Sequence, residues 1–249
     1  MSEAQDITVA IATEVAKQIP VKEVYQDALQ PGVKQTGNLI EDLAKTLHLA
    51  LAPIQLTAAL QDRYRQFLDT AVRRVPPDRR INPPAQILGP VIEGIKYEPS
   101  GSSVEELFSG LLSSSMDAKN VRLAHPAFPQ LIRQLAPDEA TMIKLMHLAR
   151  VDGLTFKRTR THRLSHDRSY FEKVEREEFP VDKLAFGDNL NFYVDHLASM
   201  GIAGLHQYKN QQPIFAGAQV QTGSREFLEY RLTELGAMLA EAALPQDRL

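Results

Sequence analysis

The 249-residue sequence contains no cysteine, which removes disulfides, Cys-ligated zinc, iron–sulfur clusters and thiol nucleophiles together. It also lacks a glycine-rich phosphate loop: its glycines are scattered, and none forms GxGxxG or GxxxxGK[ST], so nucleotide binding has no support. There is no GxSxG elbow to present a nucleophilic serine. Long hydrophobic runs are missing too. The nearest approach is TLHLALAPIQLTAALQ, residues 46–61, which carries no formal charge. Spanning a bilayer takes about 20 apolar residues, and this run is shorter, holds His48 and two glutamines, and is broken by Pro53. A buried or interfacial helix is expected there. The opening MSEAQDITVAIATEVAKQIP places acids ahead of its apolar stretch, with no basic segment, and so does not read as a secretory signal. The expected location is the cytoplasm, with peripheral membrane contact through the uncharged run as an option.

What is present is ordinary for a globular protein: 43% hydrophobic and 24% charged residues. A chain of this length buries roughly 75% of its unfolded surface, enough for a core without staples. The net charge of −3 gives no global pull toward nucleic acid, but charge is unevenly spread. RRVPPDRR holds Arg73, Arg74, Arg79 and Arg80; KRTRTHRLSHDR holds Lys157, Arg158, Arg160, Arg163 and Arg168. The second cluster is the candidate anion or nucleic-acid contact, and five cations on five phosphates would give a log K against log salt slope of roughly −4 to −5. Acids follow almost at once, at Glu172, Glu175, Glu177 and Glu178.

Residues 3–75 read as helical with proline punctuation, Leu39, Ile40, Leu43 and Leu47 forming one apolar stripe. The segment 76–99 is too proline-rich for one uninterrupted helix, although 85–97 suits a short one around Ile87, Leu88, Val91, Ile92 and Ile95. Ser103 with Glu106 fits a capping box ahead of Val104, Leu107, Phe108, Leu111 and Leu112. Ser113, Ser114 and Ser115 end that helix. His125 precedes Pro126 and is biased away from helical backbone. Pro126 and Pro129 suit the first turn of a helix continuing through Phe128, Leu131, Ile132 and Leu135; Pro137 suits the first position of the next, with Asp138 and Glu139 at its positive end. A hydrolytic set of Asp117, His125 and a serine is an alternative, as is a metal pair at His162 and His166, but neither has a supporting motif. Caps and helix ends account for these residues, and no catalytic residue, metal ligand or cofactor is assigned.

VPPDRRINPPAQILGPVIEGIKY, then VEELFSGLLSSSMD, then AHPAFPQLIRQLAPDEA together resemble the pattern of the bacterial abortive-infection alpha proteins, a family described as a domain of unknown function. The likeness covers about residues 20–150 and becomes diffuse beyond. It falls on Pro76, Pro77, Pro83, Pro84, Gly89, Pro90, Met116, Asp117, His125, Pro126, Pro137, Asp138 and Glu139. Pro129 and Ala136 depart from it, both at helix ends. The resemblance implies phage resistance and no established catalytic residue.

Further on, Leu154, Phe156 and Arg158 alternate with Thr155, Lys157 and Thr159, as in a strand with a solvated distal half. The Ser165-His166-Asp167 stretch reads as a solvated basic loop. Leu190, Tyr193, Val194 and Leu197 share one face of a helix over 189–200 that stops at Gly201. Two short strands are expected at 202–206 and 212–220, then a strand through LEYRL, then a helix from Thr233 with Leu235, Met238, Leu239 and Ala242 inward. This order is similar to a winged helix, with helix 189–200 in the recognition position but offering only Asn191, Asp195 and His196 outward and no Arg or Lys. The expected fold is therefore mainly α: a helical domain over 1–136 and a small α+β, winged-helix-like module over 137–249. The expected function is non-enzymatic phage defence through protein or membrane contacts, with an unknown host or phage protein as partner. The alternatives are a winged-helix nucleic-acid-binding regulator using 157–168, and a hydrolase without a recognisable motif.

Overall fold

The helix at the centre, α3 (Ser103–Ser115), is buried on nearly every side. Its apolar residues follow the expected stripe, each contributing about 1.5–3 kcal/mol by leaving water. The opposite side is buried as well, because Ser109, Gly110 and Ser113 are small enough for other helices to approach. A Cβ at Gly110 would collide with the Ala243 carbonyl, so glycine sets the separation between α3 and α7 (Glu234–Ala243). The N-cap of α3 is Ser102, whose Oγ accepts from the Glu105 amide at 3.0 Å. The box expected at Ser103 and Glu106 is corrected by one residue, since both side chains turn instead to a neighbouring helix: Ser103 Oγ lies 2.8 Å from Thr141 Oγ1, and Lys144 Nζ donates to Glu106 at 2.8 Å.

The computed structural model describes residues 58–164, 170–217 and 220–244, which lie in one compact unit spanning 40–249. The helical expectation before residue 58, most of the uncharged run at 46–61, and Ser165, His166, Asp167 and Arg168 fall outside the described residues. Around α3 pack α1 (Ala58–Arg73), α2 (Ala85–Ile95), α4 (Phe128–Ile132), α5 (Pro137–Val151) and α7. The boundary expected at 136/137 thus runs between helices that meet on α3. Pro129 and Pro137 stand in the first turns of α4 and α5 as expected, whereas Pro126 precedes α4 and Leu135 lies beyond its end, a correction to the longer helix expected there.

Four strands follow α5: β1 (Lys157–Leu164), β2 (Tyr170–Glu177), β3 (Ala203–Ala216) and β4 (Val220–Leu232), in the antiparallel order β2-β1-β4-β3, with α6 (Leu190–Ser199) between β2 and β3. The described residues are 51% helical and 24% strand, so the expectation of a mainly α chain is corrected to a balanced α+β fold. The two short strands expected at 202–206 and 212–220 are one 14-residue strand. Pro213 does not interrupt it, because β3 lies at a sheet edge where a missing N–H costs nothing. Gly201 ends α6 with φ +69°, the left-handed conformation expected there. Thr233 caps α7 by accepting from the Gly236 amide at 3.0 Å. On α7 the inward residues are Ala237, Leu239, Ala240, Ala242 and Ala243, whereas Leu235 and Met238 are exposed, contrary to expectation.

Candidate functional site

The first group of singled-out residues forms a joint between the proline-rich segment and the end of α3. Arg80 and Asp117 make a two-residue antiparallel bridge, flanked by the Ile81 amide donating to Met116 O and the Ala118 amide to Arg79 O, both at 2.9 Å. The buried Asp117 carboxylate accepts from the Lys119 amide at 2.9 Å and from Asn120 Nδ2 at 3.0 Å, and pairs with Arg79 at 3.0 Å. Arg80 reaches back to Val75 O at 2.9 Å, and Met116 is wholly buried. The sequence separates these partners by nearly forty residues; the fold makes them one polar knot.

The serine run is a set of helix-to-helix ties. Ser113 Oγ donates to Ala71 O of α1 at 3.0 Å and Ser114 Oγ to Ala242 O of α7 at 2.7 Å, while Ser115 Oγ bonds Leu112 O within its own helix. His125 is exposed; its Nδ1 accepts from the Ala127 amide at 3.1 Å and its ring lies 5.7 Å from that of Phe128. Pro126 is exposed in the same turn. A histidine that spends Nδ1 on the local backbone is a turn-former, and Asp117 is committed to the knot above.

At the start of α5, Asp138 and Glu139 do more than face the positive end of a helix dipole. Asp138 accepts from the amides of Ala185 and Phe186, both at 2.8 Å, and from Tyr193 Oη at 3.1 Å. Glu139 accepts from the Ala136 amide at 2.8 Å and from His196 Nδ1 at 2.7 Å, which puts a proton on that nitrogen because a carboxylate can only accept. Burial, together with the bond to Asp138, holds the Tyr193 hydroxyl above its ordinary pKa. Two adjacent carboxylates thereby clamp α6 and the loop before it onto α5. His196, expected to point outward, is spent on this clamp.

The basic strand is also largely committed. Arg158 is 4% exposed; its Nε donates to Glu177 at 2.6 Å and its NH1 to Oδ1 of the exposed Asn191 at 2.7 Å. Tyr230 Oη donates to the same Glu177 at 2.8 Å, and burial pushes this tyrosine well above its usual range. Arg160 Nε and His162 Nε2 meet Glu226 at 2.7 and 3.0 Å, and Arg160 also reaches Glu172 at 3.4 Å. Burial alone would raise the Glu226 pKa, but the bonds from Arg160 and His162 outweigh it and hold the carboxyl below its ordinary value. Lys157 Nζ lies 5.2 Å over the Tyr208 ring, and Arg163 is exposed. The expectation that this strand is solvated is therefore corrected for Arg158 and Arg160. The acids that follow the basic run are its partners across the hairpin.

An open groove of about 390 Å³ lies between α5, β4 and α7, lined by Met146, Arg150, Phe156, Leu232, Met238 and Glu241 among others. Beside it, burial and Arg150 lower the pKa of His147, with Glu241 opposing. Among the described residues no three His, Asp or Glu side chains gather as metal ligands, and no helix is long and apolar enough to cross a membrane.

The family model for abortive infection alpha matches residues 56–243. The chain belongs to the abortive infection alpha family. No curated protein and no solved structure matches it. The match to the abortive infection alpha model runs from the start of α1 to the end of α7, so the sheet and its hairpins belong to the family pattern, beyond the 20–150 span that the motifs alone carried. Membership links the protein to abortive infection and phage defence. Met116, Asp117, His125, Pro126, Pro137, Asp138 and Glu139 all lie within the match, and the bonds drawn by Asp117, Asp138 and Glu139 hold elements together.

Proposed function

We propose that this abortive infection alpha protein is a non-enzymatic phage-defence factor that acts through contacts with a protein or a membrane. The observation that supports this most is how its buried carboxylates are used. Asp117, Asp138 and Glu139 are filled by amides, Arg79, Tyr193 and His196, which leaves none of the three poised over an opening where a substrate would sit. General acid–base work needs a group within reach of a substrate proton. The proposed location is the cytoplasm, with association at the membrane face.

The winged-helix reading keeps one observation in its favour. Strand β1 lies beside β4, and the β3–β4 hairpin follows α6, the order such modules use. Asn191 and His196 of α6 are engaged by Arg158 and Glu139, and the exposed face carries Phe192, which suits a protein contact better than a phosphate-lined groove.

Culture survival with and without the gene, over a phage panel at low and high phage-to-cell ratio, tests the proposal. Rescue at the low ratio and collapse at the high ratio is the expected result. No difference at either ratio across the panel would refute it.

A further inference from the structure

The register places the Leu164 and Tyr170 ends of β1 and β2 and the Ala216 and Val220 ends of β3 and β4 at the same end of the sheet, away from the helices. Arg163 pairs with Gly223, and beyond that row only β3 and β4 continue, through Phe215 opposite Gln221 and Ala216 opposite Val220, to Gly217 at φ +65°. Phe215 is 56% and Val220 65% exposed. From Asn210 to Ser224 the arm holds no Asp, Glu, Lys or Arg. Charge returns just behind it. In the rows from Thr159, Arg176, Lys209 and Phe227 outward, six basic side chains (Arg160, Arg163, Lys173, Arg176, Lys209 and Arg225) stand with three acidic ones (Glu172, Glu175 and Glu226). Arg160, Arg176 and Arg225 are paired with Glu226, Glu178 and Glu175, whereas Arg163 and Lys173 are exposed, so a local excess of positive charge stands behind an uncharged end in a chain that carries −3 as a whole.

We infer that the Phe215 and Val220 end of the β3–β4 arm is a bilayer contact, with these two side chains entering the headgroup boundary of an anionic membrane and Arg163, opposite Gly223, facing its phosphates. The inference rests on the proposal that the protein acts by contact, and names what is contacted. Apolar burial combined with electrostatic attraction to anionic lipid is the physical basis of interfacial binding. A nucleic acid fits less well, since it would need cations along the arm itself, where there are none. No membrane-crossing element is required.

The chain has no tryptophan, so Phe215→Trp creates a single fluorescent reporter at the tip, and Phe192→Trp creates one on α6. Purified full-length protein is mixed with phosphatidylcholine vesicles, with and without phosphatidylglycerol. The expected result is binding to the anionic vesicles, a blue shift and bromolipid quenching at position 215, and neither change at 192. Phe215→Asp with Val220→Asp should weaken partitioning roughly ten- to a hundredfold, with the melting temperature unchanged because both residues are exposed. Absence of vesicle binding, a shift at 192 and not at 215, or a shift at 215 on adding single-stranded oligonucleotide but not vesicles would overturn the inference. None of these readings involves phage, so protection by the wild-type gene without vesicle binding refutes the membrane contact and leaves the defence proposal standing.

Discussion

Replacing Asp138 by alanine removes the clamp between α5 and α6. The carboxylate is 5% exposed and accepts two amide hydrogens at 2.8 Å and the Tyr193 hydroxyl at 3.1 Å. A hydrogen bond to a charged group contributes about 1.5–3 kcal/mol, and a charge in the first turn of a helix adds about 0.5 kcal/mol. Because Ala185 and Phe186 are exposed, water recovers part of the two lost amide bonds, and the buried Tyr193 hydroxyl recovers least. The net loss is about 3–5 kcal/mol, which at this chain length lowers Tm by about 10 °C. Asp138→Asn keeps one acceptor oxygen but turns an NH₂ toward an amide N–H, for a loss of about 2–3 kcal/mol. Urea unfolding followed by circular dichroism measures both. An unchanged midpoint for Asp138→Ala would refute the clamp. A variant as stable as wild type that no longer protects against phage would instead give Asp138 a part in chemistry.

Gly110→Ala must push α7 off α3 and should cost about 2–4 kcal/mol in the same unfolding assay, while Gly89→Ala, where a Cβ meets nothing, should be tolerated. Arg158→Ala removes the charged partner of Glu177, which keeps Tyr230, and should lower stability by about 2 kcal/mol, with no change in the salt dependence of any oligonucleotide binding. The folded-state pKa of Glu226 lies below its unfolded value, so its contribution is present above the ordinary glutamate range and is lost as pH falls through the depressed value. Unfolding midpoints between pH 5.5 and 3 should flatten in Glu226→Gln. His147 also has a folded pKa below its unfolded one, so the unfolded chain takes the proton first and stability declines as pH drops below about 6.5. His147→Gln should remove that slope, and persistence of the slope would assign it elsewhere.

The helices were legible because their signals are local. Val104, Leu107, Phe108 and Leu111 mark α3, Pro137 opens α5, and Gly201 and Thr233 bound α6 and α7 within a few residues of each helix end. Of the sheet, β1, β3 and β4 were legible only in part and β2 not at all, because the middle of the sheet is polar. KRTRTHRL and YFEKVERE alternate charge where a half-buried strand would alternate apolar residues, and their partners lie across a hairpin or on β4, more than sixty residues on. The burial of Arg158 depends on Glu177 and Asn191, 19 and 33 residues away, which no local pattern announces. A signal was nonetheless present: a basic run followed at hairpin spacing by an acidic one is what a self-neutralising strand pair requires. For the motif residues, dipole chemistry correctly put Asp138 and Glu139 at a helix start, but the clamp they form needs Tyr193 and His196, known only once α6 is docked.

The most direct test of contact without catalysis uses His125, the exposed histidine whose side-chain hydrogen bond goes to the Ala127 amide. His125→Ala should cost under about 1 kcal/mol, since the bond it loses is local and solvent-exposed. Survival of cells carrying wild type or His125→Ala, infected at a low phage-to-cell ratio with matched levels of folded protein, is the measurement. Equal rescue by both is the expected result. Rescue by wild type alone, with the variant folded and as abundant, would make His125 a working group and contradict a mechanism without chemistry.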